Sequence, residues 1–250
     1  MSDRKTLSIL IPVYNEEESL GPIVERVLDA PVPGDLRKEL VIVNDASKDK
    51  TAEVLKELSE KHPEIRAFEQ HVNKGKGAAI RRAIREMTGD YAIIQDADLE
   101  YDPNDYPALL KPLVDGLADV VYGSRFVTRD MRRIVHYHHK MGNLFLTHLS
   151  NLMTSLDLTD METCYKAFRA DLIKTIPLRS NRFGIEPEIT AKLARRKAVF
   201  YEVPISYHGR NYAEGKKIGW KDGISAIWTI FKYSIINDSV VSEKEKSERD

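Results

Sequence analysis

The sequence predicts an α/β domain with a mostly parallel central sheet that is flanked by helices on both faces. Short apolar runs alternate four times with segments of helical spacing before residue 125, which is the pattern of strand–helix–strand units. Polar clusters directly follow several of these runs, at the ends of strands where such sheets bind ligands. A chain of 250 residues can bury one large core. We therefore expect one domain over residues 1–238 and a charged, disordered tail over 239–250.

The first half of the chain carries the regular alternation. Residues 7–13 are predicted to form a strand, and Asn15 is the predicted N-cap of a helix that contains Leu20 and Leu28. The continuous apolar character of the runs indicates strands that are covered on both faces. Further strands are predicted over 40–43, 65–70, 91–94 and 119–123, and helices over 51–60, 78–87 and 106–117.

The second half is less regular. Helices are predicted over 140–155, 185–196 and 220–236, a strand over 199–203, and basic loops over 126–139 (expected to be mobile) and 208–219. Residues 160–169 are predicted to be a loop that leads into either a strand or a helix. The amphipathic segment from Trp220 to Ile236 has two interpretations: it lies on a membrane surface through its tryptophans, or it packs on the body of the protein.

Composition excludes several classes of protein. The 38 basic and 39 acidic residues leave a net charge of −1, so we expect no nucleic-acid partner. The single cysteine, Cys164, excludes an internal disulfide and fits a reducing compartment. The apolar run 7–13 lacks a signal-peptide pattern, and no run reaches the length of a membrane span. We expect a cytoplasmic protein, with peripheral contact at the cytoplasmic face of a membrane as the alternative.

Three acids follow the predicted strand 91–94 at every second position: Asp96, Asp98 and Glu100. Carboxylates without cysteine or histidine beside them favour Mg²⁺ or Mn²⁺ over zinc. The alternative is a solvated loop after a strand. A dinucleotide-binding fold carries a glycine-rich turn after its first strand, but residues 12–16 contain no glycine there. Residues 75–77 lack the spacing of a P-loop. The sequence therefore indicates neither a dinucleotide-binding protein nor a P-loop protein.

Four segments taken together resemble the family 2 glycosyltransferases with the GT-A fold, which is a Rossmann-like fold for nucleotide-diphospho sugars. They are residues 11–16, 43–49, 73–78 and 96–98. Residues 123–125, 203–205 and 210–216 further resemble the branch that contains dolichyl-phosphate mannose and glucose synthases. The resemblance implies a nucleotide-binding half over about 7–125 and an acceptor half over about 126–238.

The resemblance also implies roles for individual residues. Contacts to the nucleotide sugar are implied for Pro12, Tyr14, Glu16, Asp45, Lys76, Asp96, Ala97 and Asp98, with Asp45 on the base. Asp98 and Glu100 are implied to hold the Mg²⁺ or Mn²⁺ ion. Arg125, Arg210 and Lys216 are implied to contact the phosphate groups of donor or acceptor, where cations stabilise a departing diphosphate.

The implied reaction is an inverting transfer from a UDP- or GDP-linked sugar, and two acceptors remain open. A polyprenyl phosphate is already an anion and needs no base, whereas a sugar hydroxyl of a polysaccharide or glycolipid needs one. Glu186 is the candidate base, and it is equally a helix N-terminal acid. Gly215 and the 160–169 loop depart from the synthase pattern. A non-catalytic binding protein would have lost the acids, and a sugar nucleotidyltransferase would carry a glycine- and arginine-rich loop after the first strand.

Overall fold

The computed structural model describes residues 4–127, 137–209 and 220–235, without the side chains of 138, 139, 220–222 and 224. The strands are β1 (Thr6–Val13), β2 (Arg37–Asn44), β3 (Ile65–Glu69), β4 (Tyr91–Ile94), β5 (Val120–Ser124), β6 (Lys166–Arg169) and β7 (Phe200–Pro204). The α-helices are α1 (Leu20–Asp29), α2 (Thr51–Lys61), α3 (Lys76–Glu86), α4 (Tyr106–Val114), α5 (Tyr137–Thr154), α6 (Ala170–Ile173), α7 (Ile185–Arg195) and α8 (Trp220–Ile235). A short 3-10 helix, Pro103–Asp105, precedes α4.

The strands form one seven-stranded sheet in the order β3-β2-β1-β4-β6-β5-β7. All neighbouring pairs are parallel except those of β6, which runs antiparallel to both β4 and β5. The predicted α/β class with a mostly parallel sheet is therefore confirmed. The alternative that was open for the 160–169 region is resolved in favour of a strand for its last four residues, followed at once by the short helix α6.

The central strands β4 and β5 are buried on both faces, since consecutive residues of a strand point to opposite sides of the sheet and all of them are covered. All four residues of β4 and all five residues of β5 are buried. The two edge strands are less buried: β3 alternates between covered and exposed residues, which fits one solvated face, and no residue of β7 is fully buried. The buried apolar side chains of both halves of the chain form one connected core. That core holds the polar ends of the strands in fixed positions.

Several predicted boundaries differ from the observed ones. The Asn15 N-cap prediction is wrong, because α1 begins only at Leu20 and Ser19 occupies its N-cap position. Asn15 instead adopts a left-handed conformation with φ of +54°, which asparagine tolerates. Helix α5 begins at Tyr137, inside the predicted 126–139 loop. The remaining predictions for 128–136, 210–219 and 236–250, including the tail, lie outside the described residues.

Helix α8 packs on α5 and α7 through one face, which includes the buried residues Ala226, Ile230 and Tyr233. Its other face exposes Trp228, whose side chain is 68% accessible, together with Ile235. The interpretation of this segment as a helix on the protein body is thus confirmed for one face. Within the described part of the chain, the helices are all too short or too polar to span a bilayer.

Candidate active site

The carboxyl ends of β1 and β2 are joined by hydrogen bonds from the loops that follow them. The backbone amide of Asn15 donates to the Ser47 hydroxyl at 3.0 Å, and the Asn15 side-chain oxygen accepts from the Lys48 amide at 2.8 Å. The Glu16 amide donates to the Thr51 hydroxyl at 2.9 Å. These bonds fix the predicted nucleotide-contact segment, in which Pro12, Tyr14 and Glu16 are all half-buried.

Asp45, at the end of β2, is bound to the glycine-rich loop that precedes α3. One oxygen accepts from the Gln70 side chain at 2.7 Å and from the Lys74 amide at 2.9 Å, and the other accepts from the Gly75 amide at 2.6 Å. A carboxylate there also faces the positive end of the α3 dipole. Gly75 has a φ of +93°, a conformation that favours glycine. The structure therefore shows that Asp45 orders the start of α3, while its predicted contact with a base stays a prediction.

The ordered start of α3 places Lys76 between two carboxylates. Its ammonium lies 2.8 Å from Oδ1 and 3.0 Å from Oδ2 of Asp96, and 3.0 Å from Oε1 of Glu186. Burial alone would lower the pKa of Lys76, but the charge of Asp96, with a further contribution from Glu186, raises that pKa well above its ordinary value. Lys76 is therefore a permanent cation that joins β4 to the start of α7.

The sulfur of Cys164 lies beside Asp96 on the side of the core. Burial raises the pKa of the Cys164 thiol, and the negative charge of Asp96 raises it further. The thiol is consequently protonated and not a nucleophile, and it donates a weak hydrogen bond to the Ile94 carbonyl at 3.9 Å. Asp96 is thus oriented by its ion pair with Lys76, and the buried Cys164 thiol lies close to it.

Asp98 and Glu100 follow Asp96 in a tight turn, in which Leu99 has a φ of +63°. The Glu100 amide donates to Oδ1 of Asp98 at 3.2 Å. The Glu100 carboxylate accepts a hydrogen bond from the Tyr207 hydroxyl at 2.7 Å. In the described ranges no three histidine, cysteine, aspartate or glutamate side chains are grouped so as to hold a metal. Two carboxylate residues in this turn fit a hard cation that takes its other oxygen ligands from a diphosphate.

Arg125 lies at the end of β5 in a buried ion pair with Asp160. Its Nε and Nη2 atoms donate to the two Asp160 oxygens at 2.6 and 2.7 Å, so the pair is bidentate. The Asp160 side chain is fully buried. Burial would lower the pKa of Arg125, but the Asp160 carboxylate holds it well above the usual value. The guanidinium carbon also lies 5.2 Å from the centre of the Tyr207 ring.

The two glutamates at the start of α7 have different surroundings. The fully buried Glu188 accepts from the Arg179 and Ser180 amides at 2.8 and 2.6 Å, and it pairs with Lys192 at 2.8 Å. Glu188 therefore holds a loop in place. Glu186 is only 6% exposed and faces Lys76. Its Oε2 atom is buried without a hydrogen-bond partner among the described residues, as is Oε1 of Glu162.

Glu162 and Lys166 form a second buried charge group near Glu186. Burial, with the charge of Glu186, raises the pKa of Glu162 to about 8. Burial lowers the pKa of Lys166, whose ammonium donates to the Thr163 carbonyl. Glu162 thus prefers its neutral form around neutral pH.

The structure therefore brings Lys76, Asp96 and Glu186 into direct contact, and it connects Glu100 to Arg125 through Tyr207. Ala97 is buried beneath the acidic turn. Sequence reasoning missed the contact of Tyr207 with Glu100 and the ion pair of Asp160 with Arg125. The two residues of each contact are far apart in the chain, and no local sequence pattern connects them. Arg210 and Lys216 lie outside the described residues, so their predicted phosphate contacts stay predictions.

Comparison with solved structures identifies the fold. The glucosyl-3-phosphoglycerate synthase of Mycobacterium tuberculosis, solved with Mn²⁺, UDP and glucosyl-3-phosphoglycerate, superposes with a TM-score of 0.70. The match covers 94% of this chain and 82% of that chain at 19% identity. At this identity the likeness shows the fold, and the predicted GT-A fold is confirmed.

Sequence relatives carry higher identity. A dolichol-phosphate mannosyltransferase from Pyrococcus furiosus is 31% identical over 230 residues, which are 91% of this chain and 61% of the relative. The chain thus spans about three fifths of that relative's length. An undecaprenyl-phosphate mannosyltransferase from Micrococcus luteus is 31% identical over 216 residues, or 84% of this chain and 86% of the relative. The family model described as glycosyl transferase family 2 matches residues 8–176. With two thirds of its length inside that family model, the chain belongs to glycosyl transferase family 2.

Proposed function

We propose that the chain is a metal-dependent, inverting glycosyltransferase that moves a sugar from a UDP- or GDP-linked donor to a polyprenyl phosphate. The observation that carries the proposal is the placement of two partly buried cations around the acidic turn after β4. Lys76 lies on the Asp96 side of the turn, and Arg125 lies on the Glu100 side, behind the Tyr207 ring. The names of the two mannosyltransferase relatives support a polyprenyl-phosphate acceptor.

In this proposal Asp98 and Glu100 hold Mg²⁺ or Mn²⁺ against the donor diphosphate. The ion, when bound, supplies charge neutralisation to the diphosphate that leaves. Lys76 holds Asp96 in a fixed orientation toward the sugar, through the ion pair at 2.8 Å. The Asp45 carboxylate keeps the glycine-rich loop in position beside the nucleotide.

The acceptor phosphate is an anion that Arg125 binds through the guanidinium hydrogens that Asp160 does not occupy. A phosphate oxygen forms a bond to the anomeric carbon while the bond from that carbon to the diphosphate oxygen breaks. The leaving diphosphate takes the electron pair, and no proton has to be removed from the acceptor. Arg210 and Lys216 are proposed to add positive charge on the same side.

A transfer assay with a panel of UDP- and GDP-linked sugars, Mn²⁺ and a polyprenyl phosphate tests the proposal. We expect labelled sugar to pass into the lipid fraction with at least one donor, and Asp98→Ala to abolish the transfer. If every donor of the panel is left intact with this acceptor, the acceptor assignment is wrong.

One observation favours the second acceptor class, a sugar hydroxyl. Oε2 of Glu186 is buried and lacks a hydrogen-bond partner within the described ranges, so it can accept a hydroxyl proton once an acceptor displaces the atoms that cover it. In that case Glu186→Gln stops transfer to a glycan acceptor. With a polyprenyl phosphate acceptor the same variant retains the transfer.

We further propose peripheral membrane contact through the exposed face of α8. Trp228, Phe231 and Ile235 are exposed there, and Met141 and Phe145 are exposed on the neighbouring helix α5. Trp228→Ser is expected to reduce co-sedimentation with anionic lipid vesicles. Equal sedimentation of the variant and the unmodified chain contradicts this part of the proposal.

A further inference from the structure

Tyr207 connects the two sides of the candidate active site. Its hydroxyl donates to Oε2 of Glu100 at 2.7 Å, on the side proposed to hold the metal. The centre of its ring lies 5.2 Å from the guanidinium carbon of Arg125, on the side proposed to hold the acceptor phosphate. The Tyr207 side chain therefore contacts both Glu100, on the proposed metal side, and Arg125, on the proposed acceptor side.

The backbone around Tyr207, which follows β7, is fixed to the acidic turn and to the segment just after it. Tyr207 forms an isolated antiparallel bridge with Tyr101, and the His208 amide donates to the Glu100 carbonyl at 2.8 Å. The Ser206 amide donates to Oδ2 of Asp105 at 2.6 Å. These bonds leave the ring little freedom to move away from Glu100.

Both contacts of Tyr207 are of kinds that orient a charged partner. A hydroxyl that donates to a carboxylate makes a short, charge-assisted hydrogen bond. An arginine over the face of an aromatic ring is held by attraction between the cation and the ring.

We propose that Tyr207 is a positioning residue that fixes Glu100 and Arg125 relative to each other, so that the metal side and the acceptor side of the site are ordered together. This inference rests on the proposed function, in which Glu100 is a metal ligand and Arg125 binds the acceptor phosphate. Tyr207 itself touches neither reacting atom. Its contacts with Glu100 and Arg125 are separable, because the hydroxyl makes the first and the ring makes the second. The ring also packs against that of Tyr101, with the ring centres 5.3 Å apart.

Two variants separate the contacts. Tyr207→Phe removes the hydroxyl and keeps the ring, whereas Tyr207→Leu removes both. Mn²⁺ binding is measured by electron paramagnetic resonance in the presence of UDP or GDP, and the KM for polyprenyl phosphate is measured separately. Tyr201→Phe is the matched control, because Tyr201 lies on β7 close by in sequence and is 43% exposed.

We expect Tyr207→Phe to weaken Mn²⁺ binding by about tenfold, the loss typical of a hydrogen bond to a charged group, with the acceptor KM unchanged. Tyr207→Leu should weaken Mn²⁺ binding by the same factor and should also raise the KM for polyprenyl phosphate. Tyr207→Phe should not raise that KM, because it keeps the ring. Tyr201→Phe should change neither quantity.

Two results overturn the inference in different ways. If the unmodified chain binds Mn²⁺ with nucleotide but Tyr207→Phe binds it equally well, Tyr207 does not position Glu100 and the proposed function stands. If the unmodified chain binds no Mn²⁺ with either nucleotide, the proposed metal site is wrong and the inference falls with it. A urea-unfolding curve for each variant shows whether a loss of binding reflects a loss of folding.

Discussion

Replacing Asp160 with asparagine removes the charge that balances Arg125 in the protein interior. The Arg125 side chain is 15% exposed and that of Asp160 is fully buried, so water cannot replace the lost partner. Breaking such a buried pair from one side costs about 3–5 kcal/mol of unfolding free energy. At about 2–4 °C per kcal/mol for a chain of this size, the expected fall in Tm is about 6–20 °C.

Urea unfolding of Asp160→Asn, Arg125→Met and the double variant forms a complete cycle. We expect the double variant to be less destabilised than the sum of the two single variants by about 2–3 kcal/mol, because it leaves no charge unpaired. Asp115→Asn is the control, since Asp115 forms an exposed ion pair with Lys111 at 2.7 Å. That variant should cost less than about 1 kcal/mol. A coupling energy below about 0.5 kcal/mol between Arg125 and Asp160 refutes the reasoning.

Three further predictions follow from buried charges and close contacts. Burial raises the pKa of Glu162 to about 8, whereas an unfolded glutamate has a pKa of about 4.3. The folded state therefore holds a proton that the unfolded state releases, and the associated stability is lost as the pH rises through about 8. The side chain of Glu162→Gln cannot ionise. Between about pH 6 and about pH 9, urea unfolding should therefore show a smaller loss of stability for this variant than for the unmodified chain. Equal losses of stability in the two proteins contradict this. Lys76→Met leaves the partly buried Asp96 and the buried Glu186 without their shared cation and should cost about 3–5 kcal/mol. A cost below about 1 kcal/mol in urea unfolding contradicts it. Gly77→Ala would drive a methyl group into the backbone carbonyls of residues 180–182 and should cost about 1–3 kcal/mol of unfolding free energy. Gly21→Ala, in open space on α1, should instead stabilise the protein by up to about 1 kcal/mol. Equal effects of the two variants in thermal unfolding contradict this account.

The elements that the sequence predicted well are those whose signal is local. The apolar runs of β1 and β4 and the helical spacing of α1 and α7 depend only on which faces are buried. The antiparallel insertion of β6 between β4 and β5 has no such local signal, because it depends on pairing with strands that precede it by more than 40 residues. The sequence therefore predicted which segments form these strands, whereas their order in the sheet is known only from the structure.

The same distinction applies to the site. The acids of the turn after β4 were recognised from their spacing, and the resemblance to family 2 enzymes implied a role for Lys76. Nothing in the sequence showed that Lys76 joins Asp96 to Glu186, since the three residues come from three different elements. The Asn15 cap failed for a tertiary reason, because its side chain binds the Lys48 amide instead of the start of α1. Contacts across the sheet edge are decided by the fold and not by neighbours in the chain.

The central claim is that the turn from Asp96 to Glu100 holds a divalent ion against a nucleoside diphosphate. Isothermal titration of the chain with UDP and with GDP, each with Mn²⁺ and with a chelator, tests it most directly. The account predicts that one nucleotide binds with Mn²⁺, and that the chelator and Asp98→Ala each weaken this binding by about tenfold or more. Binding that is equally tight with Mn²⁺, with the chelator and in Asp98→Ala, or no binding of either nucleotide, would contradict it.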